Sequence, residues 1–445
     1  MLILEELEIV KFKNDYGDEL ITNQKMKFGK SLNLLIGPNG GGKTTLLKIL
    51  QACVSFDFEE LKENEFEIKV KGEVYFLGIK RAKIQAEFDS IKKKTKIEEK
   101  VELQAIKKNT DRTRQKNILN FKINYSFDDG NPNFTINKRS NEINIYENEA
   151  LKKNKDFYSD NWNFGDFFSD LKVETQNDKK FLNHSKLSFL QTPSMYRRGV
   201  EDISELEAIL RKTIKTYILG KPKFNPFPSY LFSEPEYGEL NNIIFWELGK
   251  FLENHKDYKK IIEIDNLDLE FKSDFLQRIK QKYTFFDSFI IRFSDKITSK
   301  EEIEYRDGKI IFFKNKREMD FNKATTWGQK RFIYLLSKIE AQDTPLIDEI
   351  ENGFHPKMVR DLINSIYEQK PQKQAFVTTH SHHIINSLNY DSMEELGKSI
   401  VLCKISKEEK LTFANLKGKN LEVNFNKVRT GLVDLPESLL FEGIW

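Results

Sequence analysis

This sequence of 445 residues has few cysteines, no long apolar run and no large excess of charge of one sign. The two cysteines, Cys53 and Cys403, lie far apart and form neither a metal-binding nor a disulfide pattern. No apolar stretch approaches the ~20 residues that cross a bilayer, so we expect no membrane partner. The acidic first six residues lack the basic region of a signal peptide, which predicts a cytoplasmic protein. A net charge of +3 is too small to indicate nucleic-acid binding by itself.

A glycine-rich stretch at residues 37–44 is the strongest chemical motif of the chain. It fits the pattern Gly-x-x-x-x-Gly-Lys-Ser/Thr of a phosphate-binding loop, in which backbone N–H groups surround one anion. Lys43 adds positive charge, and the Thr44 hydroxyl can bind Mg²⁺. A buried strand is predicted before the loop and an apolar-faced helix after it, as the motif requires. The predicted ATP-binding residues here are Gly37, Pro38, Asn39, Gly40, Gly41, Gly42, Lys43, Thr44 and Thr45.

Two later stretches end in polar residues, as the partners of a phosphate loop do. A short apolar approach ends in Asp348 and Glu349. We predict that Asp348 holds the Mg²⁺ shell together with Thr44 and that Glu349 polarises the attacking water. A second apolar strand at residues 375–379 leads to His380, which we predict beside the γ-phosphate. The alternatives are a strand that ends in an acidic turn and a histidine with only a structural role.

The signature segment, residues 326–329, precedes a further apolar helix. A hydroxyl, a glycine and a polar side chain at a helix N-terminus can form a second anion site; an ordinary N-cap is the alternative. One nucleotide rarely needs two anion sites from one chain, so we expect this segment to reach the γ-phosphate held by a second copy. The residues of this predicted trans contact are Thr326, Trp327, Gly328 and Gln329.

The order of these motifs resembles the ABC-type ATPases of the SMC and RecF class, and more narrowly the OLD-like branch of prokaryotic defence ATPases. Residues 346–356 closely match the acidic strand and trailing His-Pro of that branch, and residues 379–381 match its switch histidine. Residues 325–329 stand where Leu-Ser-Gly-Gly-Gln belongs and depart at the first three positions. The resemblance covers roughly residues 1–55 and 320–390. It implies a Q-loop glutamine, which we assign to Gln191, outside those ranges.

The resemblance implies an α/β fold: an ABC-type P-loop ATPase head with a mixed central sheet, an antiparallel β subdomain and an inserted helical region. We predict a charged helical arm rich in lysine, either solvated or forming a basic surface for nucleic acid or an acidic partner. A further helix is predicted over residues 267–283. The predicted divisions are 1–80 (head, with the phosphate loop), 81–118 (helical arm), 119–200 (β hairpins and Q-loop region), 201–285 (helical insertion) and 286–445 (C-terminal part of the head).

The activity implied by the resemblance is ATP hydrolysis with Mg²⁺, with Glu349, Lys43 and His380 as catalytic residues. The implied assembly is an ATP-sandwiched dimer or higher homo-oligomer. The long coiled coil of SMC proteins is not recognised in the sequence, and the nuclease domain of OLD proteins is not recognised after His380. The chain therefore resembles the ATPase subunit of a Septu- or PARIS-type antiphage system, whose effector, a nuclease, is encoded separately. A DNA-binding repair or recombination ATPase like RecF is the alternative, and a transporter subunit is a third hypothesis.

Overall fold

The structure is a computed structural model, and the chain divides into two compact units. The first comprises Met1–Tyr196, Asp343–Glu351 and Ile366–Trp445, and the second Arg197–Gln342 and Asn352–Ser365. The residues that the structure describes are 2–76, 79–96, 113–127, 134–139, 142–147, 150–156, 267–270, 287–298, 303–320, 326–341, 344–368, 373–381, 384, 392–406 and 408–416. None of the helices in these ranges is long and apolar enough to span a membrane.

Strands dominate the described residues. The strands are β1 Leu2–Lys13, β2 Glu19–Lys27, β3 Leu32–Ile36, β4 Glu65–Phe76, β5 Ile79–Lys96, β6 Thr113–Phe127, β7 Phe134–Arg139, β8 Glu142–Glu147, β9 Ala150–Asp156, β10 Leu267–Glu270, β11 Ser288–Thr298, β12 Ile303–Lys314, β13 Arg317–Asp320, β14 Leu346–Ile347, β15 Ala375–Thr379, β16 Ile400–Ile405 and β17 Leu411–Asn415. The α-helices are α1 Lys43–Ser55, α2 Trp327–Ala341, α3 Pro356–Glu368 and α4 Met393–Ser399.

A five-stranded sheet of the first unit carries all the motifs that follow a strand. Its order is β14-β15-β3-β16-β17, with the first four strands parallel and β17 antiparallel. Every residue of β3 and β15 is buried, as expected for central strands covered on both faces. Because parallel strands end at the same edge of a sheet, the segments after β3, β14 and β15 meet there.

An eight-stranded antiparallel sheet of order β2-β1-β4-β5-β6-β7-β8-β9 forms the other layer of the first unit. Its inward side chains share one apolar core with helix α1 and with residues of the mixed sheet. Leu46, Ile49 and Leu50 of α1 are fully buried in that core. The predicted α/β class, with a mixed sheet and an antiparallel β subdomain, is thus confirmed.

Two buried amide side chains bond main-chain groups within the first unit, and one of them, Gln374, joins the two sheets. Gln374, just before β15, accepts from the Leu4 N–H at 2.7 Å and donates to the carbonyl oxygens of Leu4 at 2.7 Å and Gly29 at 2.8 Å. Asn33 of β3 accepts from the Gly29 N–H at 2.7 Å and donates to the carbonyl oxygen of Ala375 at 3.3 Å. Both side chains are fully buried, so these bonds satisfy main-chain groups that water does not reach.

The predicted helical arm at 81–118 is wrong for the part that the structure describes. Residues 81–96 belong to β5 and residues 113–118 to β6, and the two strands pair in antiparallel register. Between residues 82 and 90 of β5 the side chains alternate strictly between buried and outward positions. A period of two is the period of a strand. It also places Ile84 and Phe88 four residues apart on one face, and this spacing coincides with that of residues on one face of a helix.

In the second unit, the structure describes one antiparallel sheet and the helices of that unit. The sheet has the order β10-β11-β12-β13. Strand β10 corrects the helix predicted over residues 267–283 at its first four positions. The rest of that predicted helix, and the helical insertion predicted elsewhere in 201–285, lie outside the described residues. The domain boundaries themselves stay predictions.

Candidate nucleotide-binding site

The phosphate loop, residues 37–44, connects the buried strand β3 to helix α1. Gly37 leaves the strand with a φ of +152°, and a Cβ at this position would lie 1.9 Å from the carbonyl oxygen of Cys403 on β16. No side chain fits in that space. Glycine is therefore required here by the close approach of two neighbouring strands as well as by the turn.

Lys43 begins α1 and is buried although it is a lysine. Its ammonium donates to the carbonyl oxygens of Gly37 at 2.9 Å and Pro38 at 3.0 Å. Burial lowers the pKa of the ammonium, and the nearby carboxylates of Asp348 and Glu349 oppose part of that shift. The cation is thus folded over the loop, beside the groups that would bind a phosphate.

Thr44 and Asp348 meet although 304 residues separate them in the chain. The Thr44 hydroxyl donates to Oδ2 of Asp348 at 2.9 Å, and the hydroxyl of Thr378 on β15 donates a short hydrogen bond to Oδ1. Both carboxylate oxygens are therefore oriented by hydroxyl donors. A hydroxyl and a carboxylate side by side are the ligands that Mg²⁺ prefers.

Glu349 has an unusual backbone conformation for a residue with a side chain. Its φ is +45°, in the left-handed region, and its side chain is exposed. The Glu349 N–H donates to the Thr378 hydroxyl at 2.7 Å, and the next N–H, of Ile350, donates to the Thr378 carbonyl oxygen at 3.3 Å. The chain therefore turns sharply at the carboxylate and is held there by a single threonine of the neighbouring strand.

His380 follows β15 at the same sheet edge, and Glu351 anchors its backbone. Oε1 of Glu351 accepts a short hydrogen bond from the His380 N–H. The other oxygen, Oε2, is buried and has no hydrogen-bond partner among the described residues. The segments that follow β14 and β15 are thereby tied together through side chains beyond the end of their ladder.

The signature segment of the second unit forms a reciprocal cap on helix α2. The Gln329 N–H donates to the Thr326 hydroxyl at 3.3 Å, and the Thr326 N–H donates to Oε1 of Gln329 at 2.8 Å. This is a capping box, so the N-cap considered from the sequence is present. The hydroxyl proton of Thr326 is not used in the cap and remains able to donate to an anion.

Trp327 is half exposed, and its ring is contacted by Gly353 and Arg331 of the second unit. A Cβ on Gly353 would lie 1.9 Å from the indole, and a Cβ on Gly328 would lie 2.6 Å from the Gly353 carbonyl oxygen. The guanidinium of Arg331 lies 5.5 Å from the centre of the indole and 5.3 Å from that of the Phe354 ring. The tryptophan at this position is therefore fixed against the segment that follows the acidic strand.

Residues 19–385 match the AAA_15 family, described as an AAA ATPase domain. The chain belongs to this family. It is therefore an ATPase, and the predictions of nucleotide binding and ATP hydrolysis are confirmed at that level. No curated protein matches the chain significantly.

Solved structures similar to this AAA_15 chain include SMC heads. An SMC head bound to the C-terminal winged-helix domain of ScpA is 12% identical, with a TM-score of 0.38 over 93% of this chain and 98% of that chain. A head with an extended coiled coil, bound to the C-terminal domain of ScpA and derived from Pyrococcus furiosus, is 12% identical (TM-score 0.35; 96% and 100% covered). The SMC head domain from Thermotoga maritima is 10% identical (TM-score 0.31; 93% and 99% covered). Because these TM-scores are low, we assign the fold from the family and from the strand order described above.

The structure gathers most of the predicted site residues of this AAA_15 ATPase at one sheet edge. The phosphate loop, Asp348, Glu349 and the backbone of His380 lie there, and Thr45 lies in the first turn of α1. The signature segment is described within the second unit. Gln191 lies outside the described residues. The individual catalytic and binding roles of all these residues stay predictions.

Sequence reasoning missed the residues that hold the site together. Thr378 and Glu351 contact partners 29 or 30 positions away, so no local sequence pattern predicts their roles. Gly353 supports Trp327 in the same non-local way, whereas Arg331 lies one helical turn from Trp327 on α2. One signal was available: two adjacent threonines at the end of a buried strand place polar groups where apolar side chains are expected.

Proposed function

We propose that this AAA_15 ATPase works as a dimer in which two ATP molecules are shared between copies. The observation that carries the proposal is the meeting of Thr44, Asp348 and Glu349 at one sheet edge, beside the loop lysine. A second candidate anion site, at Thr326, gives the same chain a surface suited to the γ-phosphate of a partner's nucleotide. Binding energy at that contact makes ATP favour the dimer, and hydrolysis weakens it.

The residues present fit a Mg²⁺ ion, because the Thr44 hydroxyl and the Asp348 carboxylate supply adjacent oxygens. When bound with ATP, the ion neutralises charge on the phosphates. Lys43 exchanges its contacts with the Gly37 and Pro38 carbonyls for phosphate oxygens. Glu349 orients and polarises the attacking water. These groups act by position and charge, since phosphoryl transfer requires little covalent chemistry from the protein.

The substitution Glu349→Gln tests the proposal. It removes the group that polarises water and keeps the size of the side chain, so ATP should still bind. Turnover should fall by about 10²–10⁴-fold, and a dimer should accumulate in ATP on a sizing column. Glu409→Gln is the matched control, because Glu409 is also exposed and also has a positive φ, of +59°. A Glu349→Gln protein that stays monomeric and hydrolyses ATP at the wild-type rate would reject the proposal.

We further propose that the ATPase is the sensor subunit of an antiphage complex with a separately encoded effector, a nuclease. The support is the resemblance of residues 346–356 and 379–381 to OLD-like defence ATPases. Cells that carry the gene with its neighbouring reading frames should resist phage, and the Glu349→Gln change should abolish that protection. Equal plaque counts for wild type, Glu349→Gln and an empty vector would contradict the defence role.

The DNA-binding alternative requires an excess of positive charge on one surface. Lys69, Glu87 and Lys122 lie opposite one another on β4, β5 and β6, so opposite charges are paired in that row of the antiparallel sheet. Further along β5 and β6, Lys93 is paired with Lys116, and residues of the same charge lie opposite each other. ATPase stimulated by DNA at physiological salt would favour a repair or recombination role over the defence role.

A further inference from the structure

We propose that Thr378 is a positioning residue for ATP hydrolysis: one hydroxyl fixes the carboxylate of Asp348 and the backbone of Glu349 at the same time. The inference rests on the proposed function, since it takes the roles of those two carboxylates from there. Thr378 itself does not touch the nucleotide in this scheme, and it acts through the two acidic residues.

The contacts of Thr378 reach both residues of the acidic pair. Its hydroxyl donates a short hydrogen bond to Oδ1 of Asp348 and accepts from the Glu349 N–H at 2.7 Å. Its carbonyl oxygen accepts from the Ile350 N–H at 3.3 Å. Three consecutive residues after β14 are therefore held by one residue of β15.

The hydroxyl proton decides how these contacts are arranged. A threonine hydroxyl has a single proton and two lone pairs. A carboxylate only accepts and a backbone N–H only donates, so the proton must go to Asp348 and a lone pair must face Glu349. Thr378 is fully buried, which keeps water from competing for either bond. Its β-branched side chain also restricts rotation about χ1.

The position of Thr378 in the sheet explains why a side chain has this task. The parallel ladder pairs Leu346 with Phe376 and Ile347 with Val377, and then it ends. Beyond that point the chain turns into the left-handed conformation of Glu349, so backbone pairing of the regular kind stops. The Thr378 hydroxyl supplies the next bond across the gap. It therefore couples the direction of the Asp348 carboxylate to the turn that presents Glu349.

The adjacent residue, Thr379, is a matched control within the same strand. It is also fully buried, and its hydroxyl accepts from the Ser381 N–H at 2.9 Å. That bond closes a local turn and involves neither Asp348 nor Glu349. The same substitution at the two positions therefore separates loss of a buried strand hydroxyl from loss of the contact to the carboxylates.

The experiment compares Thr378→Val, Thr378→Ser and Thr379→Val in the full-length protein. Turnover is measured together with two readouts that need no hydrolysis: ATP affinity in EDTA, and Mn²⁺ affinity of the ATP complex by electron paramagnetic resonance. Thr378→Val should lose about 10–100-fold in turnover and a similar factor in Mn²⁺ affinity, as substitutions behind a metal ligand do. Its ATP affinity in EDTA should stay unchanged. Thr378→Ser keeps the hydroxyl and should recover most of both losses, and Thr379→Val should keep the wild-type Mn²⁺ affinity, because its bond to the Ser381 N–H involves neither acidic residue.

Several outcomes would overturn the inference. They are a Thr378→Val protein with wild-type Mn²⁺ affinity and turnover, a serine variant as impaired as the valine variant, and an equal loss of Mn²⁺ affinity in Thr379→Val. If Thr378→Val does not fold, Thr378→Cys replaces it, because a thiol fits the site but is a weak hydrogen-bond donor. Glu349→Gln separates the two proposals: full turnover there rejects the proposed function, whereas an inactive Glu349→Gln with a normal Thr378→Val rejects only this inference.

Discussion

Glu349 shows, at the scale of one residue, how the site combines function with backbone strain. Its φ of +45° lies in a region that disfavours residues with a Cβ by roughly 1–2 kcal/mol. The Thr378 hydroxyl and carbonyl oxygen hold the turn. Strain of this kind persists where the surroundings determine the conformation and commonly marks functional positions.

The strain predicts an unusual order of stabilities at this position. Glu349→Gly should melt above Glu349→Ala by the equivalent of about 0.5–1 kcal/mol, because glycine adopts positive φ at little cost. Elsewhere alanine is the more stable of the two, since glycine loses more entropy on folding. Thermal unfolding without nucleotide measures the difference.

A second position supplies the control for this prediction. Glu409 is also exposed and has a φ of +59°, in the turn between β16 and β17. The same order, glycine above alanine, is expected there. An alanine variant at 349 that melts at or above the glycine variant would show that the turn relaxes when the side chain is removed.

The residues of the phosphate loop and the acidic pair were predictable because their motifs are contiguous in sequence. Each motif is a contiguous stretch of eight positions or fewer, Gly37 to Thr44 in one case and Asp348-Glu349 in the other. Thr378 was not predictable in its role, because its hydrogen bonds reach residues 29 and 30 positions away. A single sequence indicates the residues of contiguous motifs, whereas the residues that orient them are set by the strand order.

At the scale of elements, the alternation of β5 shows where sequence reasoning failed. Ala82, Ile84, Ala86 and Phe88 are buried in the core, and the residues between them point outward. Lysine and glutamate at the outward positions gave the stretch a composition typical of a solvated helix. The alternation carried the correct answer, because a sheet with one buried face requires period two.

Gln374 provides a prediction at the scale of elements, because its amide joins β1 to the start of β15. Gln374→Leu leaves one buried N–H and two buried carbonyl oxygens, of Leu4 and Gly29, without these partners. The cost should be about 2–6 kcal/mol, since the Leu4 N–H and carbonyl oxygen each lose a bond whose absence costs about 1–3 kcal/mol, whereas the Gly29 carbonyl oxygen still accepts from the Asn33 amide. A shift of the urea unfolding midpoint measures it.

Gln24 is the matched control for Gln374. Its amide accepts from the Phe413 N–H at 3.2 Å and donates to the Thr22 carbonyl oxygen at 2.9 Å, but the side chain is only partly buried. Water can replace those bonds, so Gln24→Leu should cost about 1 kcal/mol or less. Equal midpoint shifts for the two variants would contradict the role assigned to the buried amide.

For the whole molecule, the mixed sheet joins distant parts of one chain. Strand β3 lies between β15 and β16, which follow it by more than 300 residues in sequence. The first unit is accordingly assembled from both ends of the chain, as the positions of the motifs predicted. The proposed dimer joins two copies of this chain, and substitutions of Thr326 test whether they share the nucleotide.

Thr326→Asp should block the shared site without removing the helix cap, because aspartate is as good an N-cap as threonine, while its charge repels a phosphate. Thr326→Asp and Lys43→Ala proteins should each lose at least ~10-fold in turnover if every site combines both residues. Mixed in equal amounts, half of the dimers pair the two variants, and each such dimer has one intact site. The mixture should therefore recover about a quarter of the wild-type rate, as two-fold symmetry requires. Thr326→Ser is the control and should remain active. A mixture no faster than the separate variants would mean that both residues serve the same copy's nucleotide, and a fully active Thr326→Asp would leave the segment as a helix cap alone.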